Sequence, residues 1–234
     1  MNVKMRRNLW RMFLLFLFFS LVGCSSDGED TMQRSNESEI NEETNVPQNY
    51  TLKTKVVDVI NDPAFEGYGR LIFPADKQID ASLALEDVGD ILTWYNNVNP
   101  DRTVEIANYL KSQVQKGEKI FYDIYTAEEK QEDPDKENTG LFLFRGNPNE
   151  KFAVLNAGGG FSYVAAMHDS FPHALELSKK GYNAFALIYR PEARSAAEDL
   201  ARAIAFLHEN AEELQVDVSN YSLWGGSAGA RMAA

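Results

Sequence analysis

The chain has 234 residues and the apolar and aromatic content of an ordinary globular protein, long enough for one sizeable core. Its formal net charge of -12 argues against a nucleic-acid partner, because binding a phosphate backbone needs clustered Lys and Arg. Basic residues cluster only at the N-terminus.

There, Lys4, Arg6, Arg7 and Arg11 lead into an apolar run from Met12 to Gly23, the layout of a signal peptide over residues 1–23. The run is shorter than the roughly 20 apolar residues that span a hydrocarbon core, and an uncleaved anchor helix is the alternative. The only cysteine, Cys24, follows directly in "LVGC", which resembles the lipobox of bacterial lipoproteins. That resemblance implies cleavage before Cys24 and lipidation of it, and hence a cell-membrane anchor on the extracytoplasmic side, since several acyl chains together hold a protein stably. A free thiol is the other reading of Cys24. Residues 25–50 are rich in Ser, Asn and Glu without apolar periodicity, so 24–50 reads as a lipidated cysteine with a disordered acidic tether.

From Tyr50 hydrophobic patterns return, without internal repeats. In residues 51–119, "LIFP" and "LTWYNNV" are strand candidates, and "TVEIANYLKSQVQKGEK" predicts a helix with Val104, Ala107, Leu110 and Val114 on one stripe and Gly117 as its stop. This region is an N-terminal extension whose role the sequence does not state. After residue 120 strand and helix alternate. "FYDIY" and "LFLFRG" read as strands, the second joined to the strand "FAVLN" by the polar, hairpin-like turn "GNPNEK". A helix opens at Ser170, carries Pro172 in its first turn and ends at Gly181, before the strand "AFALIYR". The next helix carries the capping-box pattern Ser195-x-x-Glu198 and a stripe of Leu200, Ile204, Leu207, Ala211 and Leu214. "YSLW" is the last strand.

Short apolar strands separated by helices imply an α/β fold, with a mostly parallel sheet covered on both faces and an antiparallel edge from the early hairpin. Ligands bind such sheets at the carboxyl ends of the strands, which directs attention to the loops after "FAVLN" and "YSLW". Both are glycine-rich.

After "YSLW", Gly225-Gly226-Ser227-Ala228-Gly229 fits G-x-S-x-G, the nucleophile elbow, in which small residues flank a serine on a strained strand-to-helix turn. Chance alone produces the pattern in roughly one chain in twelve of this length, so its setting decides. A buried strand precedes it and the helix start "ARMAA" follows, although a turn serving only close strand-helix packing would look similar. After "FAVLN" comes "NAGGGFSYVA", residues 156–165, whose consecutive glycines expose backbone N–H groups to a developing oxyanion. The dinucleotide fingerprint fails there, because its last glycine position is Tyr163.

The pairing of "AGGGF" with "GGSAG" resembles the α/β-hydrolase superfamily, especially its esterase and deacetylase branch close to feruloyl and acetyl-xylan esterases. The resemblance covers about residues 120–234, which would be the N-terminal part of such a domain. It implies Ser227 as nucleophile, the Ala228 N–H as one oxyanion donor, and Gly158 and Gly159 as the other, with Gly160 allowing the turn. Ala157 departs from the pattern, where many relatives have His or Pro.

In this superfamily an acid and a histidine follow the serine in the chain, and only seven residues follow Ser227. The fold is therefore expected to be incomplete after the elbow, with the chain a fragment. Among earlier histidines, His168 and His173 read as structural or pocket residues before general bases, and His208 as a helix-flank residue. His168, Asp169 and His173 make only a weak metal pattern, and neither metal nor cofactor is expected. The leading expectation is a surface lipoprotein that is, in complete form, a serine carboxylester hydrolase acting on small-molecule or carbohydrate esters. A catalytically inactive, membrane-tethered binding protein on the same scaffold and a serine peptidase are the alternatives.

Overall fold

The apolar runs assemble into one sheet in the computed structural model, which describes residues 49–74, 77–95 and 98–234. The expected signal peptide, Cys24 and nearly all of the tether lie outside the described residues. In chain order the elements are α1 (Val56–Ile60), α2 (Pro100–Gln115), β1 (Phe121–Tyr122), α3 (Ala127–Glu132), β2 (Gly140–Phe144), β3 (Glu150–Asn156), α4 (Ser170–Lys179), β4 (Asn183–Ile188), α5 (Ala193–Glu209), α6 (Ala211–Leu214), β5 (Val216–Gly225) and α7 (Ser227–Ala233). The sheet order is β1-β2-β4-β3-β5.

β3 runs parallel to both β4 and β5, while β2 runs antiparallel to β1 and to β4. The sheet is mixed, and its parallel half carries the two glycine turns. β2 and β3 do not form the hairpin expected across "GNPNEK", because β4 lies between them. The physical reason is burial: every residue of β4 is buried, and a strand that is wholly apolar after Asn183 gains most at the sheet centre.

Side chains alternate along a strand, so register assigns the helices to faces. Phe152 pairs with Tyr221 and Leu155 with Trp224, positions of opposite parity. His208 of α5 packs edge-on against Phe152 and Tyr221, whereas His173 of α4 lies beside Trp224. Hence α4 and α5 cover opposite faces, the layered α/β arrangement expected from the sequence.

Residues 51–119 join the same hydrophobic core. Val56, Phe65, Leu71, Ile106 and Leu110 are buried with the strand residues, Tyr68 stacks on Phe121 at 4.8 Å, and Tyr109 stacks on Phe144 at 5.5 Å. "LIFP" is buried but forms a 3₁₀ turn at Gly69–Leu71 with the bend that follows, not a strand, and "LTWYNNV" contributes no strand among the described residues. Their apolar side chains fill the core without a neighbouring strand to pair with, a case in which hydropathy alone does not separate strand from turn.

α2 buries Ile106, Ala107 and Leu110 as the stripe predicts, opens with the Asn99 cap and Pro100, and stops before Gly117 at φ 85°. α5 starts earlier than expected. Its cap is Glu192, whose carboxylate accepts from the N–H groups of Arg194 and Ser195, so Ser195 is a first-turn residue and not the cap. The stripe is split as well, since α5 ends at Glu209 and Ala211 and Leu214 belong to α6.

Candidate active site

The end of β5 turns sharply into α7 at Gly226-Ser227. Ser227 has φ 48°, a left-handed conformation that only a few per cent of non-glycine residues adopt, and its side chain is exposed. The turn is this tight because its flanks touch. A Cβ at Gly225 would collide with the backbone of Gly229, and one at Gly229 would run into the carbonyl oxygens of Asn156 and Ala157 at the end of β3. The G-x-S-x-G spacing therefore has a steric cause in the fold, and Ser227 stands at the carboxyl edge of the sheet.

The glycine loop after β3 meets this turn. A Cβ on Gly158 would lie 3.2 Å from the Ser227 Cβ, so the two segments singled out in the sequence lie side by side. The loop is held from several directions. The Gly158 carbonyl accepts from Ala165 N–H at 3.0 Å, the Gly159 carbonyl accepts from Ser162 N–H at 3.0 Å, and the buried Tyr189 hydroxyl donates to the Ala157 carbonyl at 2.7 Å. Gly160 and Phe161 both have positive φ, 62° and 57°, which carries the chain away from the elbow. Below the loop, the Asn156 amide donates to the Trp224 carbonyl at 2.9 Å, tying β3 to β5.

Gly158 thus lies against Ser227, Ala228 follows it in the chain, and Gly159 and Gly160 continue the loop, Gly159 against Tyr163. The Gly158 N–H donates to the Asp169 carboxylate at 2.7 Å. That bond occupies the N–H of the first glycine of the loop. Ala228 is in the first turn of α7, where backbone N–H groups have no partner within the helix.

Asp169 and Tyr95 carry contacts that the sequence did not reveal. The Tyr95 hydroxyl lies 3.4 Å from the same Asp169 oxygen, and burial, followed by the Asp169 charge, pushes its phenol up to about 12. Asp169 precedes a helix and so reads as an ordinary cap, and Tyr95 is 74 residues away from it in the chain. The only local signal was an acid two positions after Met167 near a glycine loop. Beside the elbow, a cleft of about 120 Å³ is lined by Asn156, Asp169, Ser170, His173, Trp224 and Gly226. Asn156 Oδ1 and Ser170 Oγ are buried there without a hydrogen-bond partner.

No histidine among the described residues hydrogen-bonds Ser227. His168 is buried, and its Nε2 lies 3.2 Å from the Val88 carbonyl, which fixes the proton on Nε2. His173 borders the cleft, and His208 sits on the far face against Phe152. Among the described residues no three His, Cys, Asp or Glu side chains converge as a metal cluster would require.

A strained serine thus sits in a tight strand-to-helix turn, packed against a glycine loop at the end of a parallel strand pair. Residues 145–234 match the BD-FAE family model. The BD-FAE segment begins as β2 ends and contains both glycine turns. The chain is similar in fold to the apo form of Thermogutta terrifontis esterase 2, at 24% identity and a TM-score of 0.38 over 41% of this chain and 39% of that one. It is similar also to an acetyl ester-xyloside bifunctional hydrolase from Caldicellulosiruptor lactoaceticus, at 23% identity and a TM-score of 0.43 over 48% and 44%. A third is a hyperthermophilic esterase from the archaeon Pyrobaculum calidifontis, at 22% identity and a TM-score of 0.37 over 41% and 32%. The matches span less than half the length of each of these structures. No curated protein matches the chain.

Proposed function

We propose that the protein is a serine carboxylester hydrolase whose nucleophile is Ser227. The observation that carries this reading is the left-handed φ of 48° at Ser227, held where the BD-FAE segment brings its glycine loop against the elbow. A serine held in this way presents its oxygen toward a carbonyl carbon, while the N–H groups of Gly159, Gly160 and Ala228 offer hydrogen bonds to the oxygen that becomes negative. Attack by Ser227 Oγ forms an acyl-enzyme and releases the alcohol, and water then releases the acid. The general base that this chemistry requires is not among the described side chains near Ser227.

Small-molecule or carbohydrate acyl esters are the proposed substrates, supported by the esterase and acetyl ester-xyloside hydrolase activities that the similar structures are named for. Anchoring to the cell membrane through a lipidated Cys24, on the extracytoplasmic side, is proposed from the apolar run and the "LVGC" sequence alone.

The test is hydrolysis of p-nitrophenyl acetate by the full-length protein before and after Ser227→Ala. The expected loss in kcat is about 10⁴-fold or more, because a nucleophile acts as a unit with its partners and cannot be replaced by water in the same site. Equal rates for the two proteins overturn the assignment.

A further inference from the structure

We infer that Asp169 is a positioning residue that fixes the glycine loop to the nucleophile elbow, an inference that rests on the hydrolase reading above. Asp169 occupies the N-cap position of α4, where an aspartate ordinarily accepts from the N–H groups of the first turn. It makes no such bond. Its backbone, at φ -130° and ψ -74°, turns the side chain away from the helix and toward the two glycine turns.

There its Oδ2 touches both. It accepts the Gly158 N–H at 2.7 Å, and it lies so close to the Gly226 Cα that a Cβ at that position would collide with it. Gly226 immediately precedes Ser227, and Gly158 is packed against the Ser227 Cβ. One carboxylate therefore spans the two segments whose separation sets the distance from the nucleophile to the oxyanion donors. Among the described residues Asp169 has no ion-pair partner, and Tyr95 closes the contact from outside through its hydroxyl at 3.4 Å. A hydrogen bond from a backbone N–H to a carboxylate is roughly twice as strong as a neutral one, which suits a group that must hold a loop in place.

This arrangement also explains why the first glycine of the loop does not serve as a donor to substrate. Its N–H is the handle by which the loop is held. A misplacement of about 1 Å in such a site lowers turnover about 100-fold, even when the change does not touch the substrate.

The test compares Asp169→Ala, Asp169→Glu and Asp169→Asn in the full-length protein, with kcat and KM for p-nitrophenyl acetate counted per folded molecule and Tm measured in parallel. Asp169→Ala is expected to lower kcat by about 10- to 100-fold with KM changed by about twofold or less. Asp169→Glu keeps the charge but lengthens the side chain, and is expected to lower kcat by about 10-fold or more. Asp169→Asn keeps an acceptor at the same distance and restores most of the rate. A purely structural role predicts a lower Tm with kcat per folded molecule unchanged, and that result, or loss of fold in both Asp169→Ala and Asp169→Glu, overturns the inference. Absent or Ser227-independent turnover overturns the hydrolase reading itself, whereas Ser227-dependent turnover that is indifferent to Asp169→Ala and Asp169→Glu overturns the positioning role alone.

Discussion

Ser227 pays for its exposure with backbone strain. A non-glycine residue at φ 48° costs about 1 to 3 kcal/mol and persists only where its surroundings over-determine it, which here means the Gly225–Gly229 contact and the β3 carbonyls. The spacing of those glycines makes the elbow legible in the sequence, because Gly225 and Gly229 meet each other across five positions of chain, although the β3 carbonyls that Gly229 also meets lie far away in sequence. Asp169 is not legible in the same way, since its function depends on a backbone that turns its side chain away from the helix it precedes. His168 illustrates the same limit. It reads as a neighbour of the glycine loop, yet its ring points into the core, with Tyr95 edge-on at 6.1 Å and the Val88 carbonyl at Nε2. Burial pushes its imidazole below the ordinary 6.5, with the Val88 carbonyl working the other way. The unfolded chain therefore binds more protons than the fold below about pH 6.5, so stability falls as pH drops through that value toward the depressed folded one. Urea midpoints at about pH 7.5 and pH 5 are expected to differ less in His168→Phe than in the wild type. An unchanged difference would show that other groups govern the acid limb.

At the scale of elements, the turn from β4 to α5 is held by a buried charge cluster. Asp199 in α5 is fully buried and accepts from the Arg190 backbone N–H at 2.7 Å, from its guanidinium at 2.8 Å and from the Tyr125 hydroxyl at 2.6 Å. Arg190 reaches Asp133 as well, so the cluster links the segments flanking α3 to the central strand. Burial works against the Arg190 charge, and the hydrogen bond and charge of Asp199 outweigh it, holding the guanidinium above its ordinary range. Removing the carboxylate takes this acceptor from all three donors, the Arg190 backbone N–H, its guanidinium and the Tyr125 hydroxyl. Asp199→Ala is expected to lower stability by about 3 to 5 kcal/mol in urea unfolding, and a loss below about 1 kcal/mol would contradict this account of the cluster. Patterning finds α5 but misplaces its start, because Ser195-x-x-Glu198 imitates a capping box while Glu192 does the capping. Two competing caps three residues apart are not separable by spacing alone.

Across the whole molecule, what is readable follows how far each signal reaches along the chain. The alternation of strand and helix after residue 120, the apolar strands and the glycine turns are local, and the sheet carries them as expected. The pairing of strands is not local. β2 and β3 are adjacent in sequence and look like a hairpin, but β4 comes between them from more than 25 residues farther along. Nor do residues 51–119 reveal their place, since their core contribution through Phe65, Leu71 and Ile106 is made in short turns and one helix. Among the described residues no helix is long and apolar enough to cross a membrane, and β5 pairs along one edge only, with Tyr221 and Trp224 about two-fifths exposed. The proposed chemistry rests on a single oxygen atom, Ser227 Oγ, which a covalent probe reads directly. The full-length protein is treated with a fluorophosphonate, digested, and the modified peptide sequenced by mass spectrometry. The account predicts one adduct, on Ser227, that is absent from Ser227→Ala. An unmodified Ser227, or an adduct on another residue that persists in Ser227→Ala, would contradict it.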